Sequence, residues 1–253
     1  MTDEVPEAVS AETTSLMPKR ALITGASSGI GEATARVFAQ AGFDVAMVAR
    51  SGDRLRQLET ELGALGVQAQ GFVVDLSKTE TVKEKIAEVI AAFGPVQVLV
   101  NNAGMGYTGL LADMPLVDWQ QVISLNVTSV FLTVQALLPH MRQQRSGLVI
   151  NIASIAAQQT FPGWGAYGVS KSAVVALSNA IAAEEADHGI RVVTLSPGAV
   201  DTSIWDTDTV TADFDRAAML RSETVAQTLL HIATLPPEAV ISHLTLTPSQ
   251  GAL

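Results

Sequence analysis

Seven short runs rich in β-branched and other apolar residues recur along the chain, separated by longer segments with helical spacing. The runs occupy residues 20–24, 44–49, 67–74, 96–101, 148–153, 191–196 and 242–247. The stretch Val96-Gln97-Val98-Leu99-Val100 is too apolar for a sheet that faces water on one side, so we expect a buried parallel sheet. Between the runs, spacing such as that of Ile30, Ala33, Val37 and Phe38 is typical of amphipathic helices.

This alternation predicts repeated right-handed strand–helix–strand units. The predicted fold is α/β, a single doubly wound domain of the Rossmann type over residues 19–253, with a seven-stranded parallel sheet and helices on both faces. Residues 1–18 carry four carboxylates but neither Lys nor Arg. They predict a flexible acidic tail, with a docking segment as the alternative.

Composition restricts the partners that the chain can have. The chain has 15 Lys and Arg residues and 25 Asp and Glu residues, so its net charge is −10 at pH 7. This negative charge argues against nucleic-acid binding. The lack of cysteine excludes disulfides, thiolate nucleophiles and cysteine-ligated metals. We find no apolar run of membrane-spanning length and no leader pattern, so we expect a cytoplasmic protein without a membrane partner.

The first run leads directly into the glycine-rich segment Thr24-Gly25-Ala26-Ser27-Ser28-Gly29-Ile30-Gly31, which opens a helical pattern. Glycines permit a tight turn and let backbone N–H groups approach a pyrophosphate at a helix N-terminus. The spacing G-x-x-x-G-x-G differs from the usual G-x-G-x-x-G of dinucleotide-binding folds. We predict that this loop binds a nucleotide through six residues. They are Gly25, Ser27, Ser28, Gly29, Ile30 and Gly31.

The residues after the second run indicate which nucleotide is bound. In NAD-binding proteins of this architecture, an acidic residue at this place bonds the ribose 2′-OH. Here Arg50 and Ser51 follow the run instead. Since a guanidinium pairs with a 2′-phosphate and a carboxylate repels it, we predict NADP(H) as the cofactor. The alternative is that Arg50 is a solvated loop charge.

Tyr167 and Lys171 stand four residues apart near the start of a long helical segment, so their side chains share one face. An ammonium near a phenol favours the phenolate, so we expect Lys171 to lower the pKa of Tyr167 and make it a usable acid and base. Asp75 and Ser154 each follow another run, and Asn101 ends one. Because ligands bind beyond the carboxyl ends of parallel strands, we expect Asp75, Asn101 and Ser154 to converge on one crevice with the glycine loop and Arg50.

Together these features resemble the short-chain dehydrogenase/reductase family over nearly all of residues 19–250. The matching motifs are T-G-x-x-x-G-x-G at 24–31, Asp75, N-N-A-G at 101–104, Asn126, Ser154, Y-x-x-x-K at 167–171 and Pro197-Gly198. The resemblance implies an NADP(H)-preferring enzyme that moves a hydride between the nicotinamide and a carbonyl/alcohol substrate.

The resemblance also implies a role for each matching residue. Tyr167 would be the general acid in ketone reduction and the base in alcohol oxidation, while Lys171 would lower its pKa and bond the nicotinamide ribose. Ser154 would hold the substrate oxygen, and Asn126 would fix a water in a proton relay with Lys171. The other residues implied to bind the cofactor are Asp75, Leu76, Asn102, Ala103, Gly104, Pro197, Gly198, Val200 and Thr202.

Apolar residues near the catalytic motif predict an apolar substrate pocket, without an obvious positive charge to pair with an anionic substrate. They are Met105, Ile155, Phe161, Trp164, Ile204 and Trp205. The four histidines form no H-x-x-x-H motif or acidic cluster, so we predict no metal site.

Several functions fit this pattern. We rank a broad-substrate ketone or aldehyde reductase, or a hydroxy-acid dehydrogenase, first. The alternative is a 3-oxoacyl-acyl-carrier-protein reductase, although the segment 244–249 lacks the glycine pair usual in those enzymes and the chain is acidic. Remoter alternatives are a non-catalytic NADP-sensing regulator and a methyltransferase. By resemblance we also expect a homo-oligomer, a tetramer or dimer built on the helices around 115–143 and 164–188.

Overall fold

The computed structural model describes residues 19–212 and 214–251, so the predicted tail at 1–18 lies outside the described residues. Their strands are β1 (Arg20–Thr24), β2 (Asp44–Ala49), β3 (Ala69–Val73), β4 (Val98–Asn101), β5 (Gly147–Ile152), β6 (Ile190–Pro197), β7 (Val200–Asp201), β8 (Leu220–Arg221) and β9 (His243–Leu246). Seven of them form one parallel sheet in the order β3-β2-β1-β4-β5-β6-β9. The predicted doubly wound sheet is confirmed.

The helices are α1 (Gly29–Gln40), α2 (Gly52–Gly63), α3 (Thr79–Phe93), α4 (Leu116–Ile123), α5 (Ser129–Gln144), α6 (Gly165–Glu185) and α7 (Ser222–Thr234). Helices α1, α2 and α7 pack on one face of the sheet, and α3, α5 and α6 pack on the other. Alternate strand residues supply the two cores, as Leu22 does for one and Ile23 for the other. Because both faces are covered, the central strands are buried and mostly apolar, with few polar residues among them.

Some strand boundaries differ from the predicted ones. The fourth run was expected to start at Val96, whereas β4 starts at Val98. Val96 is buried without belonging to the strand, so its apolar character reflects burial rather than strand pairing. The two-residue strands β7 and β8, which pair with each other, were not predicted, because two residues are too few for a hydrophobic alternation.

Helices α4 and α5 form one continuous stretch, Leu116–Gln144, joined by a π-helical turn at Ser124–Thr128. By length and composition this stretch could cross a membrane, so the expectation that no apolar run reaches that length is wrong. In this structure 44% of its most apolar window is buried inside the domain, where α5 packs against α3. A core helix of a globular domain has the same apolar composition.

Candidate active site

The glycine loop between β1 and α1 is held against the end of β4 by two polar side chains. Thr24 Oγ1 accepts hydrogen bonds from the backbone N–H groups of Asn102 and Ala103, each at 3.0 Å. Asn102 Nδ2 donates to the carbonyl oxygens of Thr24 at 3.0 Å and Gly25 at 3.3 Å. Gly25 has a φ of 66°, a conformation that side chains disfavour. These bonds fix the loop before any ligand enters, and Thr24 was not among the predicted site residues.

Gly31 lies in the first turn of α1, where the helix meets the glycine loop. A Cβ at this position would overlap the carbonyl group of Gly25 and lie 2.5 Å from Asn102 Nδ2. Helix α1 begins without a side-chain cap, since Ser28 makes no capping hydrogen bond. First-turn N–H groups of a helix lack intrahelical partners and attract anions. The close approach of loop and helix therefore fits a pyrophosphate.

A crevice of about 840 Å³ runs along the carboxyl ends of the strands, a size typical of ligand sites. Its walls contain every predicted catalytic, cofactor and substrate residue except Gly31 and Asn126. Gly31 is buried beneath the loop, and Asn126 is buried behind the wall. The sheet thus brings residues that follow six of its strands, β1 to β6, into one continuous site.

One end of the crevice carries Arg50, Ser51 and Asp75. The pKa of Asp75 lies below its ordinary value, chiefly because the Ser77 hydroxyl donates to Asp75 Oδ1 at 2.7 Å, and also because Arg50 and Lys78 are near. Arg50 is exposed, directly after β2. Among the described residues that line the crevice, Arg50 is the sole arginine. A 2′-phosphate at this end would meet a cation.

Tyr167 and Lys171 lie on one face of α6, with Lys171 Nζ 5.7 Å from the centre of the Tyr167 ring. The buried Lys171 donates to the Ile152 carbonyl oxygen at 2.9 Å, and burial lowers its pKa to about 8. Burial raises the pKa of Tyr167, which a hydrogen bond with Ser154 partly offsets. The expected lowering of the Tyr167 pKa by Lys171 is therefore wrong for this structure, because the cost of burying a phenolate outweighs its hydrogen bond.

Ser154 is oriented by the turn that follows β5. Its Oγ accepts a hydrogen bond from the backbone N–H of Ala156 at 3.1 Å, at the start of the 3₁₀ turn Ile155–Ala157. Because Ser154 also hydrogen-bonds Tyr167, the two hydroxyls lie side by side on the crevice wall. One substrate oxygen could therefore contact both hydroxyls, which is the geometry needed to stabilise negative charge on that oxygen.

Asn126 lies in the π-helical turn and is buried. Its Oδ1 accepts from the Met105 N–H at 2.8 Å, and its Nδ2 donates to the Met105 carbonyl and to Ser170 Oγ, both at 3.0 Å. Asn126 Oδ1 and Lys171 Nζ both lie within 3.5 Å of the place that a Cβ on Gly104 would take. The missing side chain of Gly104 therefore leaves a space bordered by two polar atoms.

Asn101 does not turn into the crevice, and the expectation that it would is wrong. Its Nδ2 donates to Asn151 Oδ1 at 2.8 Å, and Asn151 Nδ2 donates to Ser178 Oγ of α6 at 2.8 Å. Strand side chains alternate between faces, and Asn101 faces the α6 layer, whereas Asn102 faces the glycine loop. This buried chain ties β4 and β5 to the helix that carries Tyr167.

Aromatic rings form the wall of the crevice beyond Tyr167. The Trp164 ring centre lies 5.5 Å from that of Tyr167 and 5.8 Å from that of Trp205, which in turn lies 5.3 Å from Phe214. Sequence reasoning missed several residues that line this part, and three of them matter for the substrate. They are Gln121, Asp208 and Phe214. Phe214 was the one that its isolated aromatic character could have signalled, since it stands in an otherwise polar stretch.

Arg216 holds the segment that carries Thr202 and Trp205. Its guanidinium donates to Asp201 Oδ1 and to Asp206 Oδ1, both at 2.7 Å, and to the Thr202 carbonyl oxygen at 3.0 Å. The three bonds connect both ends of the 3₁₀ turn Ser203–Asp206 to one exposed side chain. The turn is thereby fixed by charge pairs at the surface rather than by a buried core.

Within residues 19–212 and 214–251, no group of three or more His, Asp and Glu side chains is arranged to hold a metal ion. His243 on β9 instead contacts Ser196 Oγ at 2.9 Å and Gln158 Nε2 at 3.0 Å through its Nε2. These are hydrogen-bonding partners rather than a set of metal ligands.

Comparison with known proteins agrees with this geometry. A family profile for short chain dehydrogenases matches residues 19–212. A 3-oxoacyl-(acyl-carrier-protein) reductase of Staphylococcus epidermidis is 40% identical over 185 residues, which are 73% of this chain and 76% of that protein.

Two solved structures are similar over most of the chain. An alcohol dehydrogenase from the archaeon Thermococcus sibiricus, complexed with 5-hydroxy-NADP, has a TM-score of 0.84 and 32% identity, and the match covers 93% of this chain and 98% of that one. A metagenomic short-chain oxidoreductase in complex with NADP has a TM-score of 0.79 and 31% identity, with 91% and 97% covered. The chain therefore belongs to the short-chain dehydrogenase/reductase family, whose members are oxidoreductases of CH–OH and carbonyl groups that bind nicotinamide cofactors.

Proposed function

We propose that this protein is an NADP(H)-dependent oxidoreductase that interconverts a small ketone or aldehyde and its alcohol. Of the two expected substrate types, hydroxy acids are disfavoured, because Asp208 on the crevice wall repels a carboxylate. The observation that carries this proposal is the position of Ser154, Tyr167 and Lys171 on the wall of the crevice that begins at the glycine loop. One substrate can then contact a proton donor and an oxygen-binding hydroxyl while it lies beside the bound nucleotide.

The proposed cofactor is NADP(H) rather than NAD(H). Two similar structures hold NADP or its derivative, and Arg50 supplies a cation where a 2′-phosphate needs one. Gly25 and Gly31 give the pyrophosphate access to the uncapped start of α1. The other proposed contacts, all on the crevice wall, are Ser27, Ser28, Gly29, Ile30, Ser51, Asp75, Leu76, Asn102, Ala103, Gly104, Pro197, Gly198, Val200 and Thr202.

When bound, the nicotinamide supplies the hydride for carbonyl reduction. Tyr167 donates its hydroxyl proton to the carbonyl oxygen as the carbon is reduced, so that the product is an alcohol. The raised pKa of Tyr167 keeps the phenol protonated at neutral pH, which is the form that reduction needs. Ser154 donates a second hydrogen bond to the same oxygen. Lys171 bonds the cofactor ribose, and a water held by Asn126 returns a proton towards Lys171.

A second candidate is a 3-oxoacyl-acyl-carrier-protein reductase. The 40% identity to such an enzyme of Staphylococcus epidermidis favours it. The net charge of −10 disfavours docking of an acidic carrier protein.

We also propose that the protein is cytoplasmic and assembles as a tetramer or dimer.

A pair of Tyr→Phe variants tests the proposed chemistry. The chain contains two tyrosines, and Tyr107, which hydrogen-bonds Asp118 at 3.1 Å, does not line the crevice. We expect Tyr167→Phe to lower kcat for NADPH-dependent ketone reduction by about 10²–10⁴-fold, with NADPH binding retained. The matched control Tyr107→Phe removes the same oxygen atom and should change kcat less than about twofold.

Near-normal turnover by the Tyr167→Phe variant would remove Tyr167 from proton transfer. Tight NADPH binding by the wild type with no turnover on any ketone, aldehyde or 3-oxoacyl thioester would favour the sensing regulator instead. A 3-oxoacyl-carrier-protein reduced far faster than its small thioester analogue would favour the carrier-protein reductase.

A further inference from the structure

We propose that the substrate half of the crevice selects neutral aryl ketones, and the matching aryl carbinols, over aliphatic ketones of equal size and over anionic ketones. This inference rests on the proposed function of the same site. It is carried by two independent observations, which are the aromatic wall beside Tyr167 and the sign of the charge on that side of the crevice.

The aromatic wall starts at the catalytic phenol itself. From Tyr167 through Trp164 and Trp205 to Phe214, ring centres follow one another at 5.5, 5.8 and 5.3 Å. The ring planes are inclined by 69°, 69° and 77°, so each ring meets its neighbour edge to face. Such pairs are more favourable than their buried area alone accounts for. An aromatic ring bonded to the reacting carbonyl would lie against this row.

The wall is also fixed in orientation. Trp205 Nε1 donates to the Val200 carbonyl oxygen at 2.8 Å, so the indole cannot rotate without losing this bond. Helix α6 begins one residue after Trp164 and holds it in place relative to Tyr167. A preorganised aromatic surface costs little entropy on binding. The selection for a flat ring is therefore built into the site.

The charges along the crevice divide it. Its charged lining residues, within the described part of the chain, are Arg50, Asp75, Lys171 and Asp208. Arg50 and Asp75 lie at the end beside β2, and Lys171 is buried below Tyr167. This leaves Asp208 as the charged lining residue of the substrate half, and it is an acid. A carboxylate on the substrate would be repelled there, and the described lining residues of this half include no cation to pair with it.

Three ketones that share one reacting group test the inference. Acetophenone is the neutral aryl ketone, cyclohexyl methyl ketone its non-aromatic counterpart, and 4-acetylbenzoate its anionic derivative. With NADPH, we expect kcat/KM for acetophenone to exceed that for cyclohexyl methyl ketone by about threefold to tenfold. We expect it to exceed that for 4-acetylbenzoate by about threefold or more, with the gap narrowing at high salt.

Two variants assign the preferences to the residues. Phe214→Leu should reduce the ratio of kcat/KM for acetophenone to that for cyclohexyl methyl ketone, because one ring of the wall is lost. Asp208→Asn should raise the ratio of 4-acetylbenzoate to acetophenone. Phe131→Leu is the matched control, because Phe131 is exposed on α5 and does not line the crevice, and it should leave all ratios unchanged.

The outcomes distinguish a failure of the aryl selection from a failure of the proposed reductase function. Reduction of all three ketones with equal kcat/KM, or with the anionic ketone preferred, overturns the aryl selection and leaves the reductase standing. No NADPH oxidation with any of the three, or with a 3-oxoacyl thioester, overturns both.

Discussion

The two halves of the crevice are built by different means. The cofactor half lies on strand ends and is held by hydrogen bonds between side chains and the backbone, such as those that Thr24 and Asn102 make across the glycine loop. The substrate half lies on surface segments held by ring contacts and by the exposed Arg216. The part of the reaction common to a family is thus placed on the rigid scaffold, while specificity is left to loops that can vary.

The largest difference should appear when the same substitution is made in each half. In Gly31→Ala the new Cβ meets the backbone of Gly25, which cannot move aside, whereas in Gly106→Ala it meets Val210 Cγ2 at 2.7 Å, on a loop that can yield. We expect Gly31→Ala to lower NADPH-dependent activity by about 10²-fold, with weaker NADPH binding by fluorescence titration. Gly106→Ala should leave NADPH affinity nearly unchanged, and equal losses in both variants would contradict the proposed contrast in rigidity.

The cofactor half should be selective through charge. We expect Arg50→Asp to lower the ratio of kcat/KM for NADPH to that for NADH by about tenfold or more, because a charge-assisted pair becomes a repulsion. Lys83→Asp makes the same charge change on the exposed surface of α3 and serves as the control. A ratio that changes equally in both variants would mean that net charge, and not a phosphate contact, sets the preference.

Lys171, which lies where the two halves meet, should lower the stability of the folded protein by an amount that depends on pH. Burial lowers the pKa of Lys171 to about 8 from 10.5, so between these values the unfolded chain binds a proton that the folded protein has lost. Stability from this group therefore rises with pH across that window. Lys171→Met should be more stable than the wild type at pH 7, on the order of 1–2 kcal/mol, with the difference fading by pH 10.5.

Urea unfolding at a series of pH values measures this effect. Lys83→Met, at an exposed lysine, is the control and should follow the wild type at every pH. A stability difference between Lys171→Met and the wild type that does not change with pH would show that folding does not lower the pKa of Lys171.

The smallest effect on activity should come from removing Arg216, which holds the surface segment of the substrate half. Arg216→Ala removes the bonds to Asp201, Asp206 and the Thr202 carbonyl oxygen. We expect the KM for ketone to rise about threefold to fivefold, with little change in kcat, because exposed ion pairs are individually weak. Arg56→Ala, which loses one exposed partner on α2, is the control. A loss of kcat as large as that of Gly31→Ala would mean that the two halves are equally rigid.

Much of the fold follows from local pattern. The predicted bounds of β1 and β2 coincide with the structure, since an apolar run and the turn residues that end it are adjacent in sequence. The glycine loop, Ser154 and the pair Tyr167–Lys171 could likewise be found by spacing. Their roles in this protein stay predictions that the variants above test.

Other features could not be found this way. The π-helical turn that buries Asn126 has no signal in a helical hydrophobic pattern. The side of the strand on which Asn101 lies depends on register, and one residue separates it from Asn102, which faces the other way. The direction of the Tyr167 pKa shift depends on how deeply α6 packs against the end of β5, which no spacing reveals.

The amino-acid sequence alone determined the parallel sheet, the nucleotide loop and the residue types of the chemistry, because each is written in neighbouring residues. Only the tertiary structure decided which side chains share the crevice, how burial sets the pKa values of Tyr167 and Lys171, and how Trp164, Trp205 and Phe214 form one wall. The physical reason is that desolvation and ring packing arise between residues far apart in the chain, and those distances exist only after folding.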